Sequence, residues 1–77
     1  MPYRVLADLP RTIRMHLPTH AQRIYMKAFN NAWNQYSDPR KRRGRDTREE
    51  TAHKVAWAAV ERLYDKGDDG NWHRKLG

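Results

Sequence analysis

Apolar residues recur along this chain at the three- and four-residue spacing of helical faces, in two long blocks separated by a polar interval. In the first, Ala21, Ile24, Tyr25, Ala28, Phe29, Ala32, Trp33 and Tyr36 share one face and predict an amphipathic helix over residues 21–36. Thr19-His20-Ala21-Gln22 has the spacing of a capping box, in which the threonine oxygen accepts from the Gln22 backbone N–H and the glutamine side chain returns the bond. Pro18 stops anything helical from running in from upstream. In the second block Ala52, Val55, Ala56, Ala59, Val60 and Leu63 form an apolar stripe behind a second capping box, Thr47-Arg48-Glu49-Glu50. Glu49 and Glu50 also sit at the positive end of that helix's dipole, and Lys66 followed by Gly67 predicts its stop.

A shorter helix precedes these two. Asp8 is placed to cap it with Leu9 or Pro10 near its first turn, and Ile13 and Leu17 fall on one face before Pro18 ends it. Residues 3–6 and, less clearly, 72–76 favour extended structure, the latter after the turn-like Gly67-Asp68-Asp69-Gly70. The pattern therefore predicts a mainly α fold. Its parts are one short and two long amphipathic helices in a compact three-helix domain, with at most a small two-stranded sheet from the chain ends. The small side chains of Ala52, Ala56 and Ala59 permit close approach of the aromatic face of the first long helix.

Composition narrows the class. Seventy-seven residues leave room for one core only, so residues 1–77 are expected to form a single domain that buries roughly 60% of its unfolded surface. The absence of cysteine rules out disulfides, thiolate metal sites and thiol catalysis. Residues 1–8 lack the apolar run of a signal peptide. The longest uncharged apolar stretch, residues 55–60, falls far short of the ~20 needed for a membrane span. The expectation is a soluble cytoplasmic protein whose net charge of +7 favours anionic partners.

Much of that charge is gathered between the long helices. In the loop at residues 37–46, Arg40, Lys41, Arg42, Arg43 and Arg45 supply five cations in six positions, and Arg48 follows just beyond. Pro39 and Gly44 oppose helix, which makes this a loop and not a basic helical stripe. Two readings fit it. These six cations contact phosphates or another anionic partner, with salt-sensitive and sequence-independent binding; or they form a solvated charge run. No aromatic residue lies among the cations to stack single-stranded bases, and an inter-helix segment of about ten residues is too long for a helix-turn-helix.

The remaining candidates read as structural. His16 and His20 stand four apart, but Pro18 between them breaks the helix that a paired metal clamp requires. His20 and His53, close to helix starts, are expected to pack or bond near the caps. Asp65, Asp68 and Asp69 lack the ligand spacing of a calcium loop and read as turn residues that bond free backbone groups. Trp33 belongs to the apolar face. Trp57 lies just off its stripe, beside His53 and Tyr64, and is placed to receive the tail through Trp72. If exposed, Trp57 or Tyr64 would make a partner contact. Ser37 is the lone serine and no glycine-rich phosphate cradle appears, so neither catalysis, a metal nor a cofactor is expected.

Several blocks in order resemble the ChaB family of small bacterial proteins, which has relatives in some DNA viruses. They are Met1-Pro2-Tyr3, Asp8-Leu9-Pro10, Leu17-Pro18-Thr19-His20-Ala21-Gln22 with Ile24-Tyr25, and Ala28-Phe29-Asn30 with Ala32-Trp33. The run Arg48-Glu49-Glu50-Thr51-Ala52-His53-Lys54-Val55-Ala56-Trp57-Ala58-Ala59-Val60 follows, then Lys66-Gly67-Asp68-Asp69 and Trp72-His73. The resemblance spans nearly the whole chain apart from the loop, and the thirteen-residue run is its most specific part. It implies three helices with a small sheet and no assigned catalytic residues. It further implies a role in regulating cation transport, through a protein partner such as a cation/proton antiporter or that antiporter's regulators. The viral relatives are linked to DNA binding. The expected function is thus a non-catalytic cytoplasmic regulator that works by binding. The alternative is a sequence-independent nucleic-acid-binding module acting through the loop.

Overall fold

The computed structural model describes residues 2–42 and 44–75. Its helices are α1 (Arg11–His16), α2 (Thr19–Gln35) and α3 (Arg48–Glu61), followed by the strands β1 (Tyr64–Lys66) and β2 (Trp72–Arg74). Single 3-10 turns occupy Leu6–Asp8 and Pro39–Lys41. None of the described helices is long and apolar enough to cross a membrane.

Prolines set the first two helix starts, overriding the side-chain caps that the pattern predicts. Pro10 is the N-cap of α1, and its carbonyl accepts from the Ile13 and Arg14 N–H groups at 3.0 and 3.1 Å. Asp8 caps nothing there, because it lies in the preceding 3-10 turn. Leu17 then adopts extended backbone ahead of Pro18, the conformation that a following proline imposes. Pro18, with φ −62° and ψ 162°, is itself the N-cap of α2. That places Thr19 one residue inside the helix, and the capping box expected at Thr19 does not form. The Gln22 N–H donates to the Pro18 carbonyl at 2.9 Å, and the Gln22 amide donates to the Leu17 and Arg14 carbonyls at 2.8 and 3.3 Å. Gln22 thus ties the end of α1 to the first turn of α2.

At α3 no proline competes, and the predicted capping box is present. The Glu50 N–H donates to Thr47 Oγ1 at 3.0 Å, and the Thr47 N–H donates to Glu50 Oε1 at 3.4 Å. The helix stops at Glu61, however, well before the predicted Lys66-Gly67 stop. The chain turns early so that Tyr64 enters the core at 4% exposure, which leaves Leu63, expected on the stripe, 40% exposed. Lys66 is instead a strand residue, and Gly70 (φ +84°), not Gly67, supplies the positive φ of the turn.

The sheet has the two strands expected, but both follow α3. β1 and β2 pair antiparallel, Tyr64 opposite Arg74, Asp65 opposite His73 and Lys66 opposite Trp72. The N-terminal segment is not a strand. Tyr3 is held by Asn30 of α2, whose Oδ1 accepts from the Tyr3 N–H and whose Nδ2 donates to the Tyr3 carbonyl, both at 2.8 Å. A side-chain amide here does what a neighbouring strand would do.

Between α2 and α3, which share the most extensive contact of the fold, lies the core. Ala21, Tyr25, Phe29 and Ala32 of α2 are buried against Ala52, Ala56 and Val60 of α3, with Leu9, Ile13 and Leu17 closing one end. Ala52 and Ala56 are fully buried, and the space their small side chains leave is filled by aromatic rings. Tyr25 and Phe29 stack with centroids 6.1 Å apart, Phe29 stacks on Trp33 at the same distance, and Tyr3 leans on Phe29 at 4.8 Å.

Candidate functional site

The loop leaves α2 at Tyr36, whose N–H closes the helix on the Ala32 carbonyl at 2.9 Å. Asp38 then accepts from the Arg40 N–H at 3.0 Å and caps the Pro39–Lys41 turn. Pro39 opens that turn because its fixed φ and missing donor suit the first position. The Arg40 guanidinium folds back onto the same carboxylate at 2.9 Å, and these hydrogen bonds hold the Asp38 carboxyl below the usual range. Gly44 takes φ +51°. At the far end Asp46 pairs with Lys54 of α3 at 2.7 Å, and the Thr47 capping box fixes the re-entry. The loop is therefore braced at both ends, and both of its carboxylates are already engaged.

This bracing separates cations that the sequence presents alike. Arg40 is paired with Asp38. Arg48 turns inward: its Nε donates to the Trp33 carbonyl at 2.7 Å, and its guanidinium carbon lies 4.2 Å from the centroid of the Trp33 ring. Lys41 and Arg45 are exposed and Arg42 is half-buried, and none of these three is in an ion pair among the described residues. Arg43, the remaining member of the set, lies outside the described residues.

Beneath the loop a groove of about 550 Å³ runs along α3, lined by Tyr36, Lys41, Arg42, Asp46, Thr51 and Lys54 among others. Thr51 and Lys54 carry no functional weight in the sequence reading. A threonine beside the apolar stripe of α3 is the only available signal, and it is also what a filler residue looks like.

Around Trp57 the expected contacts with His53 and Trp72 form, whereas Tyr64 meets His20 instead. Trp57 Nε1 donates to His53 Nε2 at 2.9 Å, so that nitrogen is an acceptor, and His53 Nδ1 faces the Tyr25 hydroxyl. Trp57 lies edge-on to Tyr25 at 5.5 Å, and Trp72 of β2 rests on Trp57 at 5.1 Å. The tail is thereby anchored on α3. Half-buried Trp57 keeps some accessible surface. Tyr64 does not, since its ring is in the core and its hydroxyl meets His20 Nδ1 at 2.9 Å, so it offers no face to a partner. His16 meets Asn71 at 3.3 Å, whereas His20 meets Tyr64, so the two histidines have different partners. Asp69 accepts from the Asn71 N–H at 3.0 Å and faces His73 at 3.0 Å, while Asp65 pairs with Lys75 at 3.7 Å. Asp69 is the turn residue that the spacing predicts, whereas Asp65, expected in the turn with it, is a strand residue of β1.

Comparison with known proteins gives the same relatives by sequence and by structure. The ChaB family model matches residues 9–75. The protein named "Putative cation transport regulator ChaB" in Escherichia coli (strain K12) is 59% identical over 75 residues, covering 97% of this chain and 99% of that protein. The protein of the same name in Shigella flexneri matches to the same extent. Among solved structures, the NMR solution structure described under that name superposes with a TM-score of 0.81 at 57% identity, covering 97% of this chain and all of the other.

Proposed function

Because this chain belongs to the ChaB family, we propose that it is a non-catalytic, cytoplasmic regulator of cation transport that acts by binding an acidic face of a protein partner. The observation that carries the reading is the positive charge of Lys41, Arg42 and Arg45, without ion pairs among the described residues and held on a loop braced by Asp38, Asp46 and Thr47. A braced loop loses little conformational freedom on docking, so more of the electrostatic attraction appears as affinity. The names of the relatives point to a transporter or its regulators as that partner, and a cation/proton antiporter is the specific candidate. Trp57 adds an aromatic contact at a second position.

Cation/proton antiport in inverted membrane vesicles, measured with and without added protein, tests this. A change in antiport rate that disappears in the Lys41→Glu/Arg45→Glu variant is expected. An unchanged rate with folded protein in excess overturns it.

A second reading, nucleic-acid binding through the same loop, draws on the same cations. Arg40 is paired and Arg48 is occupied by Trp33, so among the described residues Lys41, Arg42 and Arg45 remain for phosphate contact, and these three, or four with Arg43, predict a log–log salt slope of about −3 to −4 on duplex DNA. A mobility shift across a salt series measures that slope, and no shift at low salt removes this reading.

A further inference from the structure

Two polar atoms on the groove under the loop are buried and, among the described residues, lack a hydrogen-bond partner: Thr51 Oγ1 and Arg42 Nε. Thr51 is only 9% exposed, yet its hydroxyl reaches neither a carbonyl of its own helix nor a side chain. Native proteins rarely leave such atoms unpaired, because each has given up water without receiving a substitute. Both belong to residues lining the same cavity of about 550 Å³, and both can donate. The cavity's other charged groups are Lys41, Lys54 and Asp46, and the one carboxylate is taken up by Lys54 at 2.7 Å. The groove therefore gathers donors and three cations around a space with one acidic group, and Lys54 is the cation that offsets it.

We propose that this groove is a binding site for a phosphate group. Thr51 Oγ1 donates to its oxygens from the floor and Arg42 Nε from the loop side once these side chains turn into the groove, and Lys41 balances its charge from the rim, with Lys54 shared between the phosphate and Asp46. A tetrahedral oxyanion offers several acceptor oxygens on one centre, which suits donors arriving from the loop and from α3 at once. The site shares Lys41 and Arg42 with the loop surface proposed above, but its floor belongs to α3, so the two readings fail separately.

The test is a titration of the isotopically labelled protein with inorganic phosphate at constant ionic strength, with chloride as the control anion. Saturable shifts at the Arg42, Thr51 and Lys54 amides are expected, with a phosphate-dependent rise in melting temperature that chloride does not reproduce. Thr51→Val keeps the shape of the side chain and removes the hydroxyl. It should weaken phosphate binding about tenfold, the size of one hydrogen bond to a charged group, while remaining folded. Lys54→Gln should weaken binding as well, which guards against a variant that merely repacks. Adenosine monophosphate and dimethyl phosphate separate the sources: tighter binding of the monoester assigns the site to a free or terminal phosphate, and equal binding assigns it to a nucleic-acid backbone. Antiport regulation lost in Lys41→Glu/Arg45→Glu but kept in Thr51→Val would leave the regulator reading standing by itself. Phosphate shifts no larger than those of chloride, or a Thr51→Val variant that binds phosphate as the parent does, overturn the phosphate site.

Discussion

Replacing Arg48 by methionine keeps most of the apolar stem and removes the guanidinium, which isolates what that group contributes. Its Nε donates at 2.7 Å to the carbonyl of Trp33, in the last turn of α2, where carbonyls run out of intrahelical partners. A hydrogen bond from a charged donor contributes about 1.5–3 kcal/mol. The guanidinium carbon 4.2 Å from the centre of the Trp33 ring adds about 0.5–1 kcal/mol as a cation–π contact. Against these, Arg48 is the first residue of α3, where a cation opposes the helix dipole, and removing it returns about 0.3–1 kcal/mol. The net loss is about 2 kcal/mol, which for a domain of this size lowers the melting temperature by roughly 10 °C.

Thermal and urea unfolding followed by far-ultraviolet circular dichroism measure that loss. The acceptor is a neutral carbonyl, so the difference between Arg48→Met and the parent should change little with salt, unlike a difference arising from relieved charge repulsion in the loop. Arg48→Lys keeps the charge but not the donor geometry and should fall between the two. A methionine variant melting within about 2 °C of the parent would refute the inward placement of Arg48. It would return Arg48 to the set of solvent-facing cations, and the expected salt slope on DNA would steepen by about one.

Other perturbations probe the rest of the fold. Asn30→Leu removes both bonds that hold Tyr3 and should cost about 2 kcal/mol; amide exchange that stays slow at Tyr3 in this variant would contradict the clasp. Burial, with the nearby Glu49 carboxylate, raises the hydroxyl pKa of Tyr25 and Tyr3 above the ordinary 10.0, and Tyr3 itself adds to the effect on Tyr25. The raised folded value means that the associated stability is fully present below pH ~10 and is lost as pH climbs from there through the folded values, because the unfolded chain ionises first. Phenolate absorbance from these two residues should therefore appear together with loss of helix, and full ionisation of every tyrosine in a still-helical protein would disprove it. At Gly67 an added Cβ would meet His73 Cδ2 at 2.8 Å and Asp69 Oδ1 at 2.9 Å. Gly67→Ala should therefore open the Asp69–His73 pair and speed amide exchange across β1 and β2 while α2 and α3 stay protected; unchanged exchange in the hairpin would count against that packing.

Local signals were legible in the sequence wherever nothing nearby competed with them. The Thr47–Glu50 capping box involves four consecutive residues and no rival, and it stands as read. Thr19 and Gln22 have the same spacing, but Pro18 next door already has the backbone that an N-cap needs, so the helix starts one residue earlier and Gln22 is freed to bind α1. The end of α3 was illegible for a different reason. Lys66 and Gly67 form a good local stop, yet Tyr64 has a buried position to reach and a partner at His20, and satisfying both requires the chain to leave the helix after Glu61. Tertiary burial outweighed the local signal there.

The same distinction governs the site. Charge can be counted from composition, but whether a cation is available depends on what the fold puts beside it, and only Asp38 was close enough in sequence to anticipate a pairing, with Arg40. Arg48 turns inward because the α2 carbonyls end fifteen residues earlier in the chain, directly across from the start of α3. Thr51 and Lys54 become lining residues only because the loop folds over α3 and brings Lys41 and Arg42 to the same cavity. A basic loop read alone predicts diffuse, salt-screened attraction for any anion. A loop that closes over a helix carrying an unpaired buried hydroxyl is more selective, because that hydroxyl rewards an oxyanion small enough to enter the groove and gives nothing to one that stays on the surface.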